Sequence, residues 1–125
     1  MGTVTAGGYQ RMCERYGMSC ITPDKTTQAQ LMHLIYDQVK SGLPADAALF
    51  EQIGRRMLAA GCDALIIGCT ELSLIRRNAE LPYVDSMEIL AACCITACGK
   101  GLRNMPDSIV DFTKNEDLYH VYAAV

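Results

Sequence analysis

An α/β fold built on a mainly parallel sheet is predicted for this chain by three observations. Short apolar stretches at residues 18–22, 63–68 and 83–85 alternate with longer stretches whose apolar residues recur at helical spacing. The middle one carries Ala64-Leu65-Ile66-Ile67 without a polar interruption, the pattern of a strand covered on both faces. Gly17, Gly42, Gly61, Pro23 and Pro44 fall between the periodic stretches and punctuate them. With 125 residues, half of them hydrophobic, the chain is large enough to bury one core and is read as a single domain.

The elements follow in order. Residues 5–16 place Tyr9, Met12, Cys13 and Tyr16 at helical spacing, and Gly17 stops that helix. A short strand at 18–22 is closed by Pro23-Asp24. Thr27-Gln28-Ala29-Gln30 matches a capping box ahead of Leu31, Leu34, Ile35 and Val39, so a second helix is expected to run to about Lys40. Pro44 suits the first turn of a third helix, whose apolar face is Ala47, Phe50, Ile53, Met57 and Leu58 and which ends at Gly61. The buried strand at 63–68 leads into a short helical segment reaching Arg77. A small strand at 83–85 precedes a helix that Ser86 caps and Gly99 ends, Asp85-Ser86 reading together as the strand-to-helix cap. Three short strands make a thin sheet. Residues 1–101 therefore read as one lobe, and 102–125, broken by Pro106, Asp107, Asn115 and Asp117, as a tail that packs on the lobe or on a partner subunit.

Composition excludes several function classes. A net charge of −3 and one adjacent basic pair, Arg76-Arg77, argue against nucleic acid as a partner. The longest nearly apolar runs, 62–69 and 89–98, are too short to span a bilayer. No basic start leads into an apolar secretory segment either, so a cytoplasmic location away from membranes is expected. Seven cysteines form an odd set without a C-x-x-C pair, which excludes a disulfide scaffold and offers no metal-ligand spacing. Cys62, Cys93, Cys94 and Cys98 lie in apolar stretches and are expected to be buried as small hydrophobes. His33, between Leu31 and Leu34, is expected to pack.

Cys69 is different. In Ile66-Ile67-Gly68-Cys69-Thr70-Glu71-Leu72 it stands where the buried strand gives way to a helix, at the end of a parallel strand where ligands gather. Unpaired N–H groups of a helix start favour a thiolate, Gly68 permits close backbone approach, and Thr70 adds a hydroxyl. Glu71 opposes the thiolate, because a carboxylate raises a neighbouring thiol's pKa. A thiol set between these influences suits a group that both takes and returns a proton. Tyr36 and Lys40, four apart on one helix face, are able to hold a carboxylate, and Gly2-Thr3-Val4-Thr5-Ala6-Gly7 is a hydroxyl-rich helix entry.

These segments resemble the cofactor-independent aspartate/glutamate racemase superfamily, most closely its aspartate and broad-specificity amino-acid racemases. The matching residues are Gly2 to Tyr9, Ile35-Tyr36 with Val39-Lys40, Gly61 to Leu72, and Val84-Asp85-Ser86-Met87-Glu88-Ile89-Leu90-Ala91. The resemblance implies one half of a two-lobed, three-layer α/β protein, in which a cysteine from each lobe faces opposite sides of the substrate α-carbon. One thiolate removes the α-proton and the opposing thiol donates one, without pyridoxal phosphate or metal. Carried over, Cys69 is an acid/base thiol with Glu71 beside it, and Glu71 stands where glutamate racemases carry a histidine. Gly68, Thr70 and Thr3 lie near the bound carboxylate, and Tyr36 and Lys40 close over a small amino acid, a dicarboxylic one on the aspartate-type branch.

No counterpart of the first lobe and its Cys-Asn-Thr segment is present, nor the strand that opens the second lobe. The expectation is accordingly a truncated second lobe, inactive alone and prone to self-associate as a homodimer or larger assembly. The alternatives are a non-catalytic lobe acting as an assembly module, or a related maleate isomerase, hydantoin racemase or decarboxylase activity.

Overall fold

The structure is a computed structural model and describes residues 6–102 and 121–124. Its centre is a four-stranded, all-parallel sheet in the order β1-β4-β2-β3, with β1 at Ser19–Ile21, β2 at Ala64–Ile67, β3 at Tyr83–Asp85 and β4 at Val121–Ala124. The α/β class with a small parallel sheet is thus what the chain adopts. The helices are α1 (Gly8–Arg15), α2 (Lys25–Met32), α3 (Ala47–Ala59), α4 (Thr70–Ser73) and α5 (Ser86–Ala97). A π-helical stretch, His33–Val39, continues α2 directly.

The strand count corrects the sequence reading, which has three strands. Residues 121–124 lie between β1 and β2, with Tyr122 opposite both Cys20 and Ala64. Val-Tyr-Ala-Ala is short, follows a stretch of helix and strand breakers, and has no alternation of its own. Its strand character comes from two neighbours that supply ladder partners, which is a tertiary effect.

The core forms where α2, its π-helical continuation and α3 meet β2. Leu34, Phe50, Ile53, Leu65 and Ile67 are fully buried, and Leu72 and Ile75 extend the cluster from the far side of Cys69. Phe50 stacks on Tyr83, with ring centroids 5.4 Å apart and planes 9° from parallel. Gly54 is what lets α3 come so close to β3. A Cβ there would lie 2.5 Å from the Tyr83 hydroxyl, 3.1 Å from Leu65 Cδ1 and 3.2 Å from Leu81 Cδ1.

Helix starts differ in detail from those expected. Asp24 caps α2, its carboxylate accepting from Thr27 N–H at 2.7 Å, so the helix begins three residues before the predicted box and Thr27 is buried within it. Asp46, not Pro44, opens α3 by accepting from Leu49 N–H at 2.9 Å. Of the Asp85-Ser86 pair, it is the Asp85 carboxylate that caps α5, accepting from Met87 N–H at 2.9 Å. Asp24 and Asp85 stand three and one residues upstream of Thr27 and Ser86, Asp46 two residues after Pro44, and each carboxylate starts its helix because it accepts an orphan helix N–H as a charge-assisted bond.

Two burial expectations also fail. Cys62 is buried, but Cys93, Cys94 and Cys98 are exposed, because α5 is apolar on nearly every side and only Ala92 is buried. His33 does not pack. It turns outward, its Nδ1–H donating to Asp37 at 2.8 Å while Nε2 accepts from Gln38 at 3.1 Å.

Candidate active site

β2 delivers Cys69 to the site. Ile67 is buried and pairs with Asp85 of β3, the chain stays extended through Cys69 (φ −133°, ψ 132°), and α4 starts at Thr70. This strand-to-helix turn places the thiol at the carboxyl end of a parallel sheet, half-buried against the core. The helix is shorter than predicted, a single turn ending at Ser73 rather than Arg77. A four-residue helix has too few aligned peptides to build an appreciable dipole, so local bonds decide the thiol's protonation state.

Those bonds are specific. The Cys69 thiol donates to Glu71 Oε2 at 2.8 Å, and the Thr70 hydroxyl donates to the same oxygen at 3.0 Å. Burial and the Glu71 acceptor push the Cys69 thiol up from its ordinary value, against the N–H groups of Glu71 and Leu72, which favour the thiolate. Glu71 moves the opposite way, down to about 2, because the thiol donates to it, its own N–H and the Thr70 hydroxyl add to that, and Lys40 is adjacent. The two shifts describe one shared bond, S–H donating to O⁻. At neutral pH, Cys69 therefore carries its proton and Glu71 does not.

The other wall comes from the π-helical stretch. Lys40 Nζ lies 3.4 Å from Glu71 Oε1 and 4.5 Å from the centroid of the Tyr36 ring. Bonds such as Lys40 N–H to Ile35 O, 2.8 Å, wrap more residues into each turn than an α-helix does, so residues four apart come nearly into line. Lys40 accordingly lies over the Tyr36 ring, and His33 hydrogen-bonds Asp37 at the same spacing. Tyr36 is half-exposed and Lys40 is 45% exposed, so the pair faces solvent as well as Glu71.

Of the predicted residues, the structure thus joins Cys69, Thr70, Glu71, Tyr36 and Lys40 in one cluster, and Gly68 leads into the turn. Thr3 lies outside the described residues. Sequence reading missed Ser73 and Arg77, which reach Asp85 from the Cys69 side. A serine four residues after the cysteine was the only available signal, since Asp85 was legible merely as a cap. Among the described residues, no cluster of histidines, cysteines and carboxylates is arranged to hold a metal ion.

Comparison with known proteins gives the family. The family model described as Asp/Glu/Hydantoin racemase matches residues 1–94, a span that holds β1, β2, β3 and the whole Cys69 cluster. The chain belongs to this racemase family. It is also similar to the uncharacterized protein in the pnlA 3' region of Pectobacterium carotovorum subsp. carotovorum, at 36% identity over 92 residues. That alignment covers 70% of this chain and 61% of the relative, so the chain spans less than two thirds of the curated protein it matches. No solved structure matches. No helix among the described residues is long and apolar enough to cross a membrane.

Proposed function

We propose that this lobe provides one of two acid/base thiols in a cofactor-independent amino-acid racemase of the aspartate type, and that Cys69 is that thiol. The observation supporting the reading is the convergence of Lys40 on Glu71 beside Cys69, from a helix some thirty residues earlier in the chain. The protonated thiol is the form that gives a proton to a carbanionic α-carbon. Once it has done so, the N–H groups of Glu71 and Leu72 hold the resulting thiolate, and in the reverse direction the same sulfur takes the proton back. One thiol addresses one face of the α-carbon, so inversion uses a second thiol on the other face, from a first lobe or a second copy.

The substrate class is a small dicarboxylic amino acid. Thr70, the Gly68 backbone and Thr3 take the α-carboxylate, while Lys40, backed by the Tyr36 ring, exchanges Glu71 for the side-chain carboxylate. In D2O, at a pH alkaline enough to leave part of Cys69 as the thiolate that takes the α-proton, this chain alone is expected to exchange the α-hydrogen of one enantiomer of aspartate or glutamate without changing its configuration, followed by proton NMR. Cys69→Ala abolishes the exchange; equal exchange by that variant overturns the reading. Racemisation by the chain alone, lost in Cys69→Ser, would instead locate the second thiol in a second copy.

A second reading, an assembly module, draws support from α5, where Met87, Leu90 and Ile95 are exposed on an almost wholly apolar helix. Self-association through this helix is compatible with either role.

A further inference from the structure

The Cys69 turn is too short to hold itself in place. A single helical turn fixes several backbone dihedrals for one or two hydrogen bonds, and nucleation alone makes it unfavourable. Within α4 the Ser73 N–H reaches Cys69 O at 3.3 Å, a weak closure. Leu72 and Ile75 anchor one side of the segment in the core.

The other side is held by a buried carboxylate from a different element. Asp85, 2% exposed at the end of β3, accepts from Ser73 Oγ at 2.9 Å and from Met87 N–H at 2.9 Å on one oxygen, and from Arg77 on the other. Arg77 also donates to Glu88 at 2.6 Å. Ser73 Oγ lies 3.3 Å from Cys69 O as well, but a hydroxyl has one proton. The shorter contact to a charged acceptor takes it. Arg77 keeps Asp85 from being an uncompensated buried charge, which is the costly arrangement. Residues 70–77 are thereby attached at two points, Ser73 and Arg77, to the one carboxylate that also starts α5. β2 and β3 are paired up to Ile67 and Asp85, so this attachment lies directly beside the strand end from which Cys69 projects.

We propose that Asp85 and Ser73 are positioning residues for Cys69: the Ser73 hydroxyl, anchored on Asp85, fixes the single helical turn that aims the thiol at Glu71. This rests on the reading of Cys69 as the acid/base group, but its test needs neither substrate nor second thiol. The rate of iodoacetamide alkylation is measured across pH for each cysteine of the full chain by peptide mass spectrometry. Exposed Cys93 serves as the internal rate standard, and buried Cys13 and Cys62 as reporters of an intact fold.

Without the Ser73 anchor, the thiol leaves the buried position and the Glu71 acceptor that keep it protonated. Ser73→Ala is therefore expected to alkylate Cys69 about fivefold faster at pH 7, the scale of one lost hydrogen bond. Cys93 is unchanged, Cys62 stays protected, and Ser73→Thr, which keeps the hydroxyl, returns the original profile. Asp85→Asn is expected to act in the same direction; if Cys62 becomes reactive in that variant, the fold has been lost and Ser73→Ala decides. An unchanged or slower Cys69 profile in Ser73→Ala, with Cys62 still protected, overturns the proposal. That outcome leaves the racemase reading standing, because Cys69→Ala and deuterium exchange test the latter separately.

Discussion

Glu71 sets the resting state of the site at the scale of single residues. Its carboxylate accepts from the thiol and from Thr70 and faces Lys40, and the consequence is a protonated Cys69 beside an anion. Glu71→Gln keeps an acceptor but removes the charge, so the midpoint of Cys69 alkylation with pH is expected to fall. A midpoint that does not move would mean that burial alone raises the thiol. Glu71 also confers a pH dependence whose sign follows from its depressed pKa. Stabilisation from its ionised form is fully present above the ordinary value of 4.5 and is lost as pH falls from there toward about 2. Thermal melts across that window should show a shallower acid limb for Glu71→Gln than for the parent chain. The opposition between thiol and carboxylate was legible in the order Cys69-Thr70-Glu71. Which oxygen the thiol reaches, and that Lys40 balances the other, were not, because Lys40 is brought in by a different helix.

At the scale of elements, the packing of α3 against β3 turns on one missing side chain. Gly54 sits in the middle of an amphipathic helix, where sequence reading finds only a weak helix former. In the structure it is the point of closest approach to Tyr83, Leu65 and Leu81. Gly54→Ala gains helix propensity but forces overpacking, and a net loss of about 1–3 kcal/mol is expected by chemical denaturation. A neutral or stabilised variant would show that Tyr83 moves aside freely. The π-helical stretch is a second feature that the 3.6-residue pattern conceals. Leu31, Leu34, Ile35 and Val39 fit an α-helix in sequence, and the wider turn becomes visible only in the i to i+5 bonds that line up Tyr36 with Lys40. Cap positions slipped for a simpler reason. Asp24 and Asp85 are as good caps as Thr27 and Ser86, and tertiary packing selects among them.

Over the whole molecule, α5 presents Met87, Leu90, Cys93, Cys94 and Ile95 to solvent, more apolar surface than an isolated chain keeps at no cost. The chain is expected to self-associate in sedimentation velocity experiments, and Leu90→Glu with Ile95→Glu to reduce that association while far-UV circular dichroism is retained; a monodisperse monomer for the parent chain would remove the argument. The sequence by itself determined the α/β class, the buried strand at β2, and Cys69 at its carboxyl end, because each depends on patterns within a few neighbouring residues. Its racemase resemblance, carried by four segments, agrees with the family match over residues 1–94. Only the tertiary structure decided that residues 121–124 enter the sheet between β1 and β2, that Lys40 meets Glu71, and that Ser73 and Arg77 converge on Asp85. Those three facts join residues from 8 to some 100 positions apart. No local pattern encodes such pairings; they exist because burying the core brings the elements into register, and polar groups carried along with them must then find partners there.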